Sequence, residues 1–170
     1  MKYLEKFRGQ SEVPPARPEL KVIILSFFGA LFAGAVLGFL AFSLEYAIIM
    51  GSFGASIFLV MAVPDSPFAQ PRNVVFGHFV ASLIGLICLH LLGDLWWSMA
   101  FAIAMTTLAM IMLKISHPPA GSNPVAIFLI MPSWDFLWMP TFLGALVIVL
   151  IALLYNCLLY TSDAADDTSG

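Results

Sequence analysis

The chain alternates long apolar runs with short polar interruptions. No charged residue occurs from Val22 to Leu44, and residues 74–93, 95–113 and 136–159 are equally apolar. A helix needs about 20 apolar residues to cross the roughly 30 Å hydrocarbon layer. The pattern therefore predicts an all-α, polytopic membrane protein with four long transmembrane helices. Two further apolar stretches are shorter. Tyr46 to Val63 is interrupted by Gly51 and Gly54, and within Pro118 to Pro132 only Val125 to Met131 is continuously apolar. Segments this short predict broken or re-entrant helices. The first long run exceeds the h-region of a signal peptide and carries Gly34-Ala35-Val36 inside it, so it reads as a retained span.

Composition and charge sharpen this picture. Of 170 residues, 61% are hydrophobic and 10% charged, against about 25% charged in soluble domains. Between residues 22 and 159 the only charged residues are Glu45, Asp65, Arg72, Asp94, Lys114 and Asp135. That is too few to wet a soluble surface. Nucleic-acid binding, disorder and a disulfide scaffold are excluded as well. Cys88 and Cys157 both lie in apolar runs and read as packing residues. Five of the seven basic residues precede position 22, which predicts a cytoplasmic N-terminus in a bacterial inner-type plasma membrane. If 46–63 crosses, Arg72 and Lys114 fall on the same side as the tail, and this is the preferred topology. Trp96, Trp97, Trp134 and Trp138 lie at segment ends, as interfacial anchors do.

The domain reading is a basic, proline-rich tail over 1–20, a transmembrane domain over 21–159 and an unstructured tail over 160–170. The string Leu158 to Asp167 resembles translated adapter read-through and not native sequence; a short acidic tail is the other reading. Neither carries a function.

The two short stretches resemble each other. Residues 51–61 read Gly-Ser-Phe-Gly-Ala-Ser-Ile-Phe-Leu-Val-Met, and residues 121–131 read Gly-Ser-Asn-Pro-Val-Ala-Ile-Phe-Leu-Ile-Met. Six of eleven positions are identical at an offset of 70. Each copy lies between two long spans, so the chain reads as two units of span, broken helix, span. With three crossings per unit, the second would be inverted, a plan that places a transport site at the repeat interface. Chance similarity within a small apolar alphabet is the competing explanation.

A helix that starts inside a membrane protein presents unpaired N–H groups and a partial positive charge. That is an anion-binding arrangement. The candidate substrate-binding residues are Gly51, Ser52, Gly121, Ser122, Asn123 and His117: glycines for backbone approach, hydroxyl and amide groups as donors. Pro118 and Pro119 forbid a continuous helix, and Pro124 is tolerated near the new helix start. Arg72, Asn73, His78 and Lys114 are candidates for a cationic, hydrogen-bonding entrance, with His78 notable as an ionisable residue one turn into a span. Bland readings stand beside these. His117 caps freed carbonyls, Arg72 sets topology, and His78 is a neutral, hydrogen-bonded core residue. His90 and Asp94 read as an interfacial i, i+4 pair.

Gly-Ser-Phe-Gly-Ala-Ser, Ser-Pro-Phe-Ala-Gln-Pro-Arg-Asn, Gly-His and His-Pro-Pro-Ala-Gly occur in that order. Over roughly residues 22–156 the chain thereby resembles the HPP family of integral membrane proteins. The resemblance implies four described transmembrane helices and, through plastid and cyanobacterial relatives, nitrite transport. The CBS pair of some relatives is absent from this chain. Ser122-Asn123-Pro124 departs from the family's usual small apolar run, which leaves the substrate open.

The functional expectation is transport of a small inorganic anion, nitrite-like, with the lipid bilayer as surroundings. A channel for small neutral solutes and a non-transporting packing subunit are the alternatives. No enzyme motif, no metal spacing and no cofactor motif is present. The ladders Ala30, Gly34, Gly38 and Gly77, Ala81, Gly85 would suit a homo-oligomer, and equally packing within the monomer, which is preferred.

Overall fold

The computed structural model describes residues 17–44 and 50–167, without the side chains of 42, 44 and 158–167. The expectations for residues 1–16 and 46–49 lie outside it. Among the described residues the regular structure is all helical, with no strand. In order, the helices are α1 (Leu20–Leu44), α2 (Gly51–Ala62), α3 (Pro71–Leu92), α4 (Trp96–Met112), α5 (Asn123–Ile130) and α6 (Leu143–Asp167). Short 3₁₀ turns occupy Pro67–Ala69, Pro118–Ser122 and Trp134–Leu137.

Three stretches are long and apolar enough to cross a membrane: Leu20–Ala41, Pro71–Leu92 and Trp134–Cys157. The expected fourth span is α4, an apolar helix of 17 residues, about 25 Å long at 1.5 Å per residue. Helix α6 runs on to Asp167, where a departure from helix was expected at 160. No Gly or Pro stands between Ala145 and Asp167, and Ala164 and Ala165 favour helix.

The ends of the helices are fixed by a few contacts. The Arg72 guanidinium donates to the Lys114 carbonyl at 2.8 Å, so the start of α3 and the end of α4 share one end, the basic end. The Tyr155 hydroxyl donates to the Leu25 carbonyl at 2.8 Å, Ser26 Oγ to the Met61 carbonyl at 3.1 Å, and Asn156 Nδ2 to the Val60 carbonyl at 3.3 Å. These tie α1, α2 and α6 together, and with the α2–α3 loop they belong to that same end. At the opposite end the Trp134 ring lies 5.0 Å from His90, and Ser98 Oγ donates to the Cys88 carbonyl at 3.3 Å. Helices α1, α3 and α5 therefore run away from the basic end, and α2, α4 and α6 run toward it.

Helices α2 and α5 are short, about 18 and 12 Å. Met50, just before α2, has its sulfur 3.9 Å from Thr141 Oγ1, which lies 3.0 Å from Ser82 Oγ in the middle of α3. Asn123, the first residue of α5, reaches the same Ser82 at 2.9 Å. Both short helices thus begin at mid-depth and run to opposite ends.

The double proline breaks the chain as expected. Helix α4 stops at Met112, with Lys114 in the left-handed region (φ 55). Ile115 N donates to the Met110 carbonyl and Lys114 N to the Ile111 carbonyl, the two bonds of a Schellman cap. A left-handed non-glycine residue costs roughly 1–2 kcal/mol. The charge-assisted bond from Arg72 offsets part of it. His117 is extended (φ −135, ψ 93), and the α-helix restarts at Asn123.

The main core joins α1, α2, α3 and α6 around Phe53, Val74, Leu86 and Ile148. Glycines set the closest approaches. A Cβ at Gly144 would overlap the Phe53 ring, and one at Gly77 would stand 2.8 Å from His117 Cβ. On the outside, Phe27, Phe28, Leu31, Phe32 and Phe39 of α1 are exposed, the surface a lipid-embedded chain presents. Trp96, Trp97, Trp134 and Trp138 are exposed as well, in the segments that open α4 and precede α6.

Gly144→Ala should therefore destabilise the fold by about 1–3 kcal/mol through overpacking. Gly34→Ala, whose Cβ meets nothing within 4 Å, should stay within about 1 kcal/mol of wild type, on the stabilising side. Thermal unfolding in detergent measures both, and a Gly144→Ala protein as stable as Gly34→Ala would contradict this packing.

Candidate functional site

Six polar residues from five parts of the chain meet in the interior with no solvent exposure at all: Ser56, His78, Ser82, His117, Asn123 and, just before α6, Thr141. Helix α2 supplies Ser56. Helix α3 supplies His78 and, one turn on, Ser82. The extended residue before the double proline supplies His117, and the first residue of α5 supplies Asn123. Such burial demands hydrogen-bond partners, and the geometry provides them in a defined order.

The order follows from two carbonyls, which can only accept. His117 Nδ1 lies 2.8 Å from the Phe68 carbonyl and so donates to it. The Asn123 atom 3.3 Å from the His78 carbonyl is the amide nitrogen, and it donates to His78 Nδ1 at 3.1 Å and to Ser82 Oγ at 2.9 Å. His78 Nδ1 is therefore an acceptor, and its proton sits on Nε2. Both Nε2 atoms lie 2.8 Å from Ser56 Oγ. His78 Nε2–H donates to Ser56 Oγ, and the Ser56 hydroxyl donates to His117 Nε2. Each ring then has one donor and one acceptor nitrogen, the pattern of a neutral imidazole. The Ser52 carbonyl, 3.0 Å from Ser56 Oγ, is a second acceptor for the same hydroxyl proton. Phe53 and His117 flank the His78 ring edge-on, each with its centroid 5.1 Å away.

The cluster gathers some of the expected residues and leaves others apart. His117 and Asn123 are at its centre. Ser52 is buried beside it; among the described residues its hydroxyl has no hydrogen-bond partner, and neither has Asn123 Oδ1. Unpaired buried polar atoms are rare and call for an explanation such as a water or a ligand. His78, expected at the entrance, is instead in the core, because α3 turns it toward α2 and α5. Gly51 is exposed and Gly121 half-buried; a Cβ on either would meet nothing within 4 Å. Ser122 is exposed, and its hydroxyl donates to the Pro119 carbonyl at 2.9 Å. Pro118 is exposed, Pro119 half-buried and Pro124 fully buried, where Pro124 packs against Gly85. Arg72 and Lys114 are exposed together at the basic end. Asn73 donates to the Pro67 carbonyl at 2.8 Å and so braces the α2–α3 turn.

The His90–Asp94 pair does not form. Helix α3 ends at Leu92, and Gly93 (φ 83) turns the chain away. His90 Nδ1 donates instead to the Leu86 carbonyl at 2.9 Å. No group of three or more His, Cys, Asp or Glu able to hold a metal occurs among the described residues. A separate cavity of roughly 150 Å³ lies among Val60, Pro71, Val149 and Asn156, at the basic end and away from the cluster.

Sequence reading missed Ser56, Ser82 and Thr141. Ser56 left a signal: its counterpart at the offset of 70 is Ala126, so the repeat departs from itself there. Ser82 follows His78 by four residues, one helical turn.

Asn123→Leu removes the donor that fixes His78 and Ser82, leaving the buried His78 Nδ1 unpaired at about 1–3 kcal/mol, while Ser82 Oγ keeps Thr141. Ser122→Ala should cost less than about 0.5 kcal/mol. Thermal unfolding in detergent compares the two; equal stabilities would mean that the network contributes nothing to the fold.

The family model for the HPP transmembrane region matches residues 15–164. Two transmembrane proteins of Dictyostelium discoideum are 28% and 30% identical to the chain over 170 aligned positions. Each alignment covers 92% of this chain, and 59% and 54% of the respective relative. The chain thus spans little more than half the length of these relatives. No solved structure matches it significantly.

Proposed function

The chain belongs to the HPP family of transmembrane proteins, and from that premise we propose that it carries a small inorganic anion, nitrite-like, across the bilayer. In this reading its six helices form two inverted units, α1–α2–α3 and α4–α5–α6. The directions of the helices support this, since α1 leaves the basic end and α4 leaves the tryptophan end. Helices α2 and α5 then each complete a crossing as a half-helix that starts at mid-depth, and α4 crosses as the fourth long helix. Arg72 and Lys114 mark the cytoplasmic side, together with the basic N-terminal tail.

The observation that carries the proposal is the meeting of the α2 and α5 N-termini at mid-depth, beside the buried, unpartnered Ser52 hydroxyl. Two helix N-termini bring partial positive charge to one place, and irregular backbone inside a membrane is tolerated where it lines a site. Gly51 and Gly121 leave open space beside the backbone, and Arg72 and Lys114 raise anion concentration at the cytoplasmic mouth. A second reading draws on a specific feature: no charged side chain belongs to the buried cluster. That favours a channel for small neutral solutes, lined by Ser52, Ser56, Asn123 and Thr141.

Flux in proteoliposomes decides between them, with nitrite, nitrate, formate and chloride set against urea and glycerol. Anion flux is expected. Ser52→Asp, which fixes a negative charge where the anion would sit, should lower it at least about tenfold, or 1.4 kcal/mol. Lys114→Gln should slow uptake at low ionic strength, with a deficit that shrinks as salt rises, because exposed charges are screened beyond about 8–10 Å near physiological strength. Neutral-solute flux, with anion flux indifferent to Ser52→Asp, would favour the channel.

Topology has its own test. With Cys88 and Cys157 replaced, a cysteine at the exposed position Asp65 should react with impermeant reagents only from the cytoplasmic side. Labelling from outside would overturn the inverted arrangement.

A further inference from the structure

The chain of hydrogen bonds from Asn123 to Phe68 has a property the anion site does not need. It is directional, and it connects mid-depth to the basic end. His78 Nδ1 faces Asn123 at the level where the two short helices begin. His117 Nδ1 faces the Phe68 carbonyl in the α2–α3 loop, beside the half-exposed Phe68 side chain and exposed Pro118. Between them stands one hydroxyl, 2.8 Å from each ring. Two imidazoles bridged by a serine hydroxyl form a continuous hydrogen-bonded chain of groups that each can both give and take a proton.

We infer that His78, Ser56 and His117 form a proton relay, and that each anion crosses together with one proton, so that the species moved is in sum a weak acid. This rests on the anion-transport reading above. The step balances as follows. A weak acid HA at the mid-depth site gives its proton to His78 Nδ1, which Asn123 vacates, and A⁻ remains at the helix N-termini. The proton on His78 Nε2 moves to Ser56 Oγ, the Ser56 proton moves to His117 Nε2, and the proton on His117 Nδ1 leaves to water at the basic end. One O–H bond breaks in the acid, one forms in hydronium, and no electron leaves the system. Rotation of the Ser56 hydroxyl toward the Ser52 carbonyl, with tautomer exchange in the two rings, resets the wire.

The surroundings suit this role. Helices α2, α4 and α5 carry no titratable side chain at all. Lys21 lies in the first turn of α1, and Tyr155 of α6 is bonded to the Leu25 carbonyl, both at the basic end. Arg72, Lys114 and Asp65 are exposed. The groups facing the two rings are Ser56, Asn123, the Phe68 carbonyl, the Phe53 ring and each other. Among the described residues nothing charged faces the two rings, and no carboxylate there would trap the proton as a fixed ion pair. Gly77 lets the wire close: a Cβ there would stand 2.8 Å from His117 Cβ and drive the two histidines apart.

The test uses the full chain in vesicles with a pH-sensitive dye inside, sodium nitrite as probe and protein-free vesicles as baseline. Nitrite entry should acidify the lumen by one proton per anion. Nitrite accumulation should rise about tenfold per unit of pH gradient, and it should not respond to a potassium diffusion potential. Ser56→Ala keeps both histidines but cuts the wire, and should lower nitrite-driven acidification at least about tenfold. Ser56→Thr, which retains the hydroxyl, should restore most of it. Nitrite accumulation that follows the potential without acidification would overturn the relay and leave the anion reading standing, and it needs only the wild-type protein. Wild-type acidification by Ser56→Ala would also overturn the relay. Proton movement with no flux of any anion would instead overturn the anion reading and retain the wire.

Discussion

A hydroxyl group buried in a bilayer protein has one proton to give and lone pairs to fill, and Ser56, donating to His117 and accepting from His78, joins three separate parts of the chain. In water, its bonds to His78 and His117 would trade evenly with solvent. Inside the membrane domain there is no solvent to trade with, so an unmade bond costs the full desolvation of the group. The bonds to both imidazole rings must therefore be made, or the cluster does not form. It closes only if α2 starts at mid-depth, α3 presents His78 toward it, and the backbone before Pro118 is extended enough to bring His117 in from the other side. The double proline, Gly77 and the Schellman turn at Lys114 are the local devices that satisfy this one requirement.

The same constraint explains why two helices are broken. An unbroken α-helix consumes its own backbone donors and offers a polar ligand nothing. Starting α2 inside the protein frees its first N–H groups, and a chain that frees donors in lipid must cover them; in α5 the Asn123 N–H bonds the Ala120 carbonyl and Pro124 has none to cover. Most of the cover here is protein: Ser52 and Asn123 are buried. The remainder, Ser52 Oγ and Asn123 Oδ1, is the unfilled valence on which the functional reading rests.

Much of the fold was legible because hydropathy is a direct readout of the bilayer. The charge-free run from Val22 to Leu44 and the proline break after His117 could be placed within a few residues, and Asn123 starts a helix where the sequence put one. The depth of α2 was legible only through its likeness to residues 121–131. The site was legible in kind, since His117, Asn123 and Ser52 were singled out, but not in arrangement. His78 looked like an entrance residue because it lies near Arg72 in sequence, and two turns of helix carry it inward. Ser56, Ser82 and Thr141 are small polar residues in apolar helices, where sequence alone does not say whether a hydroxyl bonds its own backbone, as Thr107 does to Ile103, or a neighbour. Only the crossing of α2, α3 and α5 distinguishes the two. The His90–Asp94 pairing failed for a related reason: spacing of four implies one face only while the helix lasts, and α3 ends at Leu92.

The absence of buried charge from the cluster bears on which cargo the architecture favours. A resident lysine or arginine at mid-depth would hold an anion tightly and release it slowly, and it would itself be costly to keep in lipid. Helix N-termini and hydroxyls offer weaker, fixed partial charges that need no desolvation of a cation. An anion that also gives up or takes a proton at that place lowers its own cost of entry, because the neutral acid and not the ion crosses the low-dielectric half of the path. In the proposed mechanism a neutral, hydrogen-bonded pair of histidines next to two helix N-termini would supply both parts of that exchange, with the anion held by backbone dipoles and the proton by imidazole nitrogens. On the same proposal the basic residues Arg72 and Lys114, exposed at one end, would concentrate anions at the mouth, where water screens them, without binding them.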